Sequence, residues 1–261
     1  MPTLSPRFPH SAALHVGGRA YPAGTVWDVL SPFLTERRRT RIAAVAAGRT
    51  YSVLPVFERM ADAGNLHAAL RSAEGLGYGA AALVAPEHEA GPLAERYAAE
   101  GDADAAALGK RGSARAAQGA HKWLALTLYA DADAFVDAAH ARGYAVAVTH
   151  LAADAVPIAA WDFTRPTALV FGNEAEGVSD ELLARADANV VLPIDGFVQS
   201  YNVSVAAALA LYHARQDRLA RQGRHGDLTE DEQAVLAAHY ALRSVAAAAQ
   251  ILARDAGERD A

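Results

Sequence analysis

The sequence predicts an α/β protein, a mostly parallel sheet with helices on both faces, and three observations carry that reading. Apolar runs of strand length recur along the chain, among them "YSVLPVF", "YGAAALVAP", "YAVAVTHL" and "TALVFG". They are continuously apolar rather than alternating, the pattern of strands buried on both faces. Between them stand stretches with helical spacing, and a strand that reaches its parallel neighbour through a helix gives this alternation.

The first 30 residues, with Pro2, Pro6, Pro9 and Pro22, show no sustained period and read as an irregular extension. In "SPFLTERRRTRIAAVAAGR" the pattern turns helical, with Ser31 or Thr35 as the N-cap and Gly48 as the stop. A strand at "YSVLPVF", a helix at "GNLHAALRSAEGLG" closed by Gly75 or Gly77, and a strand at "YGAAALVAP" follow. Residues 86–120 are too long and polar for a simple connection and read as a functional loop or lid. Beyond it come a strand "WLALTLY", an Asp-capped helix "DADAFVDAAHARG", strands "YAVAVTHL" and "TALVFG", a short helix "SDELLARAD" and a strand "NVVLPI". A long helix begins at Val203, and the tail opens with a Thr229 to Glu232 capping box and forms one helix or two.

Composition narrows the function classes. A chain of 261 residues with 24 basic and 30 acidic side chains, net −6, does not coat nucleic acid by bulk attraction. Local patches remain: Arg37, Arg38, Arg39 and Arg41 cluster, and Arg215, Arg218, Arg221 and Arg224 recur every third residue, each row otherwise reading as a solvated helix face. There are no cysteines, so no disulfide framework and no thiolate metal site, and no apolar run approaches a membrane span. A cytoplasmic protein with no membrane association and no metal is expected.

In open α/β sheets ligands bind beyond the carboxyl ends of the strands. Three such ends are polar or glycine-bearing: "THLAADA" from 149, "FGNEAEGVS" from 171 and "LPIDGFVQSYN" from 192. Gly172, Gly177 and Gly196 allow close backbone approach, and Asn173, Glu174, Ser200 and Asn202 set donors and acceptors beside them. Neither G-x-G-x-x-G after a strand nor a phosphate loop is present. The residues alone therefore indicate a glycine-lined small-molecule pocket in the C-terminal half.

Together, "LVFGNEAEGVSDELLARAD" and "VVLPIDGFVQSYNVSVAAALALYHA" resemble the second and third motifs of the SpoU/TrmH family of RNA ribose 2′-O-methyltransferases. "GNLHAALRSAEGLG" resembles the first, an Asn followed six residues later by an Arg, and "GAHKW" with "DFTRPTALVFG" is similar to the tRNA-modifying TrmH branch. The resemblance covers roughly residues 35–220. It implies a SPOUT fold with a C-terminal deep trefoil knot at about 145–215, an exception to ordinary topology, and a homodimer in which the first motif of one subunit completes the other's pocket. It also implies a division into an extension with a basic helix (1–48), the methyltransferase domain (49–220) and a helical extension (221–261).

By motif position the resemblance assigns S-adenosylmethionine to Thr149, Gly172, Leu192, Ile194, Gly196 and Tyr201. Catalysis falls to Arg71 and Asn65 from the first motif, with Glu174, Ser200 and Asn202 orienting the loop and nucleotide. An arginine stays protonated, so Arg71 suits gripping phosphate and stabilising a developing alkoxide. Taken singly, Arg71 reads as a surface ion-pair partner and Asn65 as a helix cap; only their combination with the later motifs points to a site. His121 and Lys122, with Arg37, Arg38, Arg39 and Arg41, are the expected RNA contacts. Where relatives carry Leu and an apolar residue, this chain has Tyr201 and Asp195. The implied reaction is methyl transfer to a ribose 2′-hydroxyl of RNA, tRNA first, guanosine in the D-loop included. The alternatives are rRNA as substrate, or an RNA-binding assembly factor with weak catalysis.

Overall fold

A computed structural model describes residues 3–85, 120–152 and 155–260. The chain divides into two units: residues up to Arg49 join those from Gly226 onward, and the described residues of the other unit run from Thr50 to His225.

The second unit holds seven strands: β3 (Val53–Glu58), β4 (Ala80–Val84), β5 (Ala125–Tyr129), β6 (Ala145–Thr149), β7 (Val156–Pro157), β8 (Thr167–Phe171) and β9 (Ala188–Val191). Their order is β5-β4-β3-β8-β6-β9-β7 and every pairing is parallel. The apolar runs therefore occupy the middle of a sheet, and β3 and β8, side by side, are buried at every position. Two-residue β7 shows no periodicity a sequence reading can detect. Its Pro157 sits on an edge, where a missing N–H is tolerated.

Helices α3 (Ala63–Leu76) and α6 (Val203–Gln222) share one core, in which Leu66, Leu70 and Ala73 lie with Ala207, Leu211 and Ala214. Helices α4 (Ala132–Ala141) and α5 (Asp180–Arg185) belong to the core of the other face, through Phe135, Val136 and Leu182. Alanine at the α3–α6 contact lets the helix backbones approach closely, and the Tyr78 hydroxyl donates to the Leu211 carbonyl at 2.6 Å. The cap of α3 is Asp62, whose carboxylate accepts the Asn65 N–H at 2.8 Å, so Asn65 is freed from capping. Gly77, at φ 97°, ends the helix.

The row of arginines at every third residue is not one solvated face. Each three-residue step falls about 60° short of a full turn, so the row winds around the helix. Arg218 turns inward, 1% exposed, and donates to the carbonyls of Phe163 (3.0 Å) and His225 (3.1 Å). Arg221 pairs with Asp217 at 2.6 Å.

The other unit corrects the expectation of an irregular start. β1 (Ala13–Val16) and β2 (Arg19–Pro22) form an antiparallel hairpin across Gly17 and Gly18, at φ 58° and 79°. Two positive φ values in a two-residue turn match strand twist, and strands of four residues are too short to display a period. Helices α1 (Ala23–Leu30), α2 (Glu36–Gly48), α7 (Glu230–Ser244) and α8 (Ala248–Asp260) complete it. Thr35 caps α2, Thr229 and Glu232 close the capping box of α7, and the tail is two helices broken at Ala247, φ 58°.

Candidate functional site

A parallel sheet brings the segments after β6, β8 and β9 to one end. After β8 the chain makes a tight turn in which Asn173 and Gly177 exchange backbone hydrogen bonds at 2.8 and 2.9 Å. A Cβ on Gly172 would meet the Gly177 carbonyl carbon at 2.2 Å, and Gly177 has φ 75°, so neither position tolerates another residue without rearrangement. The Asn173 side chain fills the turn: Oδ1 accepts from the N–H groups of Ala175 (2.8 Å) and Glu176 (3.1 Å), and Nδ2 donates to the Arg59 carbonyl at 2.6 Å.

Three of the expected side chains meet. Asn65 Nδ2 donates to Glu174 Oε1 at 3.0 Å, and Asn202 Nδ2 donates to Asn65 Oδ1 at 3.1 Å. The Ala61 and Asp62 N–H groups also donate to the Glu174 carboxylate, at 3.1 and 3.3 Å. Burial opposes ionisation of Glu174, but the Asn65 amide and the N–H groups of Glu174, Ala61 and Asp62 outweigh it and hold the carboxyl below its usual range. Asn202 caps α6, its Oδ1 accepting from the Ser204 N–H at 2.9 Å and hydroxyl at 2.6 Å. One amide thus joins the start of α6 to the start of α3, and that explains the polar run ahead of an apolar helix.

Beside this network lies a cleft of about 600 Å³, within the range of small-molecule sites. Thr149, Gly172, Leu192, Ile194 and Tyr201 line it, with Glu174, Ser200 and Asn202; Gly196 does not. The Thr149 hydroxyl donates to the Val170 carbonyl at 2.9 Å, tying the end of β6 to β8. The Tyr201 hydroxyl donates to the Pro193 carbonyl at 3.0 Å, bracing the loop after β9. Apolar walls from Phe171, Leu192 and Val203 with backbone edges nearby suit a flat heteroaromatic ring carrying polar substituents.

Arg71 stands apart. It is exposed on α3 and forms no hydrogen bond or ion pair with the described residues. Six residues turn its side chain roughly 240° from that of Asn65, and it does not line the cleft. The basic cluster separates as well: Arg37 and Arg41 are exposed, but Arg38 donates to Ser244 Oγ at 3.1 Å and Arg39 to the carbonyls of Ser31 and Leu34. Lys122 is exposed, and the His121 side chain lies outside the described residues, as do Lys110, Arg111 and Arg115 in the stretch that the sequence reads as a loop or lid. Among the described residues no three His, Cys, Asp or Glu side chains converge as metal ligands, and no single helix is long and apolar enough to cross a membrane.

Sequence reasoning passed over Glu58 and Arg59. Glu58, 2% exposed, ends β3 and accepts from the Ser179 N–H at 2.9 Å and hydroxyl at 2.5 Å; Arg59, at φ 48°, pairs with Glu176 at 3.3 Å. An acid closing a wholly buried strand is the signal that marks them.

The SpoU rRNA Methylase family model matches residues 52–212. A tRNA (guanosine(18)-2′-O)-methyltransferase of Thermus thermophilus is 35% identical over 185 residues, 71% of this chain and 85% of that protein. The crystal structure of the Aquifex aeolicus TrmH/SpoU tRNA modifying enzyme superposes with a TM-score of 0.65 at 26% identity, over 81% of this chain and 98% of that one. The AdoMet-bound rRNA methyltransferase of Sinorhizobium meliloti gives 0.51 at 26% identity, over 63% and 56%. The matched span takes in β3 through the first half of α6, with the Asn65, Glu174 and Asn202 network inside it, and the chain belongs to the SpoU methylase family.

Proposed function

We propose that the chain is an S-adenosylmethionine-dependent RNA 2′-O-methyltransferase acting on tRNA, with a guanosine, the nucleoside named for the Thermus relative, as its target, in the D-loop. The observation that carries this reading is the Asn65–Glu174–Asn202 network at the rim of the 600 Å³ cleft.

The cleft fits the cofactor in size and in character. Leu192, Ile194 and Phe171 offer an apolar wall, while the turn held tight by Gly172 presents backbone to a polar ligand. When bound, S-adenosylmethionine supplies a sulfonium methyl open to in-line attack. Thr149, Gly172, Leu192, Ile194 and Tyr201 are assigned to holding it, with Gly196, off the cleft lining, in the loop that carries Ile194 and Tyr201. Glu174, ionised at neutral pH, and Asn202 accept and donate hydrogen bonds that orient a ribose, with Asn65 fixing both and Ser200 beside them. Arg71 serves the developing alkoxide and an adjacent phosphate as a permanent cation.

Its position off the cleft supports a homodimer in which Arg71 acts in the partner's site. On α6, Val205, Leu209 and Tyr212 are 47, 44 and 54% exposed and share one helix face, an apolar stripe that a second copy would cover. A trefoil knot formed as α6 threads behind the β6–β8 segment, and residence in the cytoplasm beside tRNA, complete the reading. His121, Lys122, Arg37 and Arg41 are assigned to RNA phosphate, with Arg38 and Arg39 contributing through their residual exposure.

Incubating the protein with S-adenosylmethionine and unmodified tRNA or rRNA, then mapping ribose methylation, tests the assignment. A 2′-O-methylguanosine in the tRNA D-loop is expected. Methylation confined to rRNA overturns the tRNA assignment, and cofactor binding with no methylation of either overturns the enzyme.

A further inference from the structure

We infer that Glu58 is a positioning residue for the cofactor: it fixes the far end of the turn after β8 and so sets the shape of the cleft wall. The inference rests on the proposed use of that cleft for S-adenosylmethionine. The turn is tied to the segment after β3 at successive points. The Arg59 carbonyl accepts from Asn173, the Arg59 guanidinium meets Glu176, and the Ala61 and Asp62 N–H groups reach Glu174. Those contacts are partly or fully exposed, and exposed pairs hold geometry weakly. Glu58 differs. Its carboxylate is buried, with both oxygens on one residue, Ser179, through the N–H at 2.9 Å and the hydroxyl at 2.5 Å.

Ser179 also caps α5, its Oγ accepting from the Leu182 N–H at 3.3 Å. A buried carboxylate gripping the cap residue therefore fixes where the turn ends. At the other end Gly172 touches Gly177 so closely that the backbone has no slack. Residues 173–177, which line the cleft, are suspended between these two anchors. Both Glu58 oxygens accept from Ser179, and an amide in the same place would offer only one acceptor, so an acid here is a stiffer anchor than an amide. Glu58 itself lines no part of the cofactor cleft, and its effect passes through Ser179.

Replacing Glu58 by Gln preserves shape but turns one of the two accepting oxygens into an NH2, so one of the Ser179 donors loses its acceptor. Calorimetry with S-adenosylhomocysteine should show Kd rising about tenfold, the scale of one net hydrogen bond. The kcat at saturating cofactor should stay within about twofold, because Asn65, Glu174 and Asn202 keep their own contacts. Ser179→Ala should reproduce the same rise, the double variant should add nothing further, and Ser179→Thr, which keeps the donor, should restore the wild-type Kd. If Glu58→Gln fails to fold, the Ser179→Ala and Ser179→Thr pair carries the test. Wild-type Kd in both Glu58→Gln and Ser179→Ala overturns the inference and leaves the functional reading intact. Absence of cofactor binding by the wild-type protein overturns that reading, and this inference with it.

Discussion

Asn65 and Arg71 stand on the same helix, six residues apart, and their surroundings are opposite. Asn65 is locked between Glu174 and Asn202, every polar atom of its amide group facing a partner from another segment. Arg71 is exposed and forms no hydrogen bond or ion pair with the described residues. The Asn65 amide is satisfied within the described residues, and the Arg71 guanidinium is not. Residues six apart point about 120° from one another around a helix, so the two side chains meet different surroundings.

The largest effect expected from breaking this contrast is at Arg71. Arg71→Ala should lower kcat by about 10²–10³-fold, the usual loss for one transition-state donor, while leaving cofactor Kd unchanged in calorimetry. Near-normal turnover would remove Arg71 from the reaction. Asn65→Ala should be smaller, about 10–100-fold in kcat/KM, because it leaves the partly exposed Glu174 and Asn202 misaligned rather than absent; single-turnover kinetics would place the loss in chemistry.

The pH dependence sharpens the same point. The folded-state carboxyl of Glu174 titrates below its unfolded value, so its contribution is present above the unfolded pKa and is lost as pH falls through the depressed folded value. Activity should therefore be flat through neutrality on account of Glu174 and fall only on acidification. A Glu174→Gln variant, measured in parallel, should lack that acid limb.

Assembly comes next. Leu209→Asp, placed in the exposed stripe of α6, should shift the protein to monomer in sedimentation at micromolar concentration and lower activity, with the fold retained by circular dichroism. A dimer that persists would point to another surface. The smallest effect is electrostatic: converting Arg37 and Arg41 to Glu should flatten the salt dependence of tRNA binding by about one to two counterions, with cofactor affinity untouched. Arg38 and Arg39 are unsuitable for this measurement, because their hydrogen bonds to Ser244, Ser31 and Leu34 mix binding with folding.

Much of the molecule was legible in the chain. Buried parallel strands announce themselves as apolar runs, Thr35, Thr229 and the Asp before α4 as caps, and Gly172 and Gly177 as positions for close backbone approach or positive φ. These are local properties, set by the preferences of a few neighbouring residues. The order β5-β4-β3-β8-β6-β9-β7, the short edge strand β7 and the joining of the first 49 residues to the last 36 are not local. Nor is the inward turn of Arg218, which the threefold spacing disguised, or the grip of Glu58 on Ser179, 121 residues away. The sequence by itself determined the longer strands and helices, though not the hairpin and helix of the first 30 residues or β7, and which residue types could do the chemistry. Only the tertiary structure decided that Asn65 meets Glu174 and Asn202 while Arg71 faces out, because hydrogen-bond reach is a few ångströms and sequence separation carries no information about distance across a packed sheet.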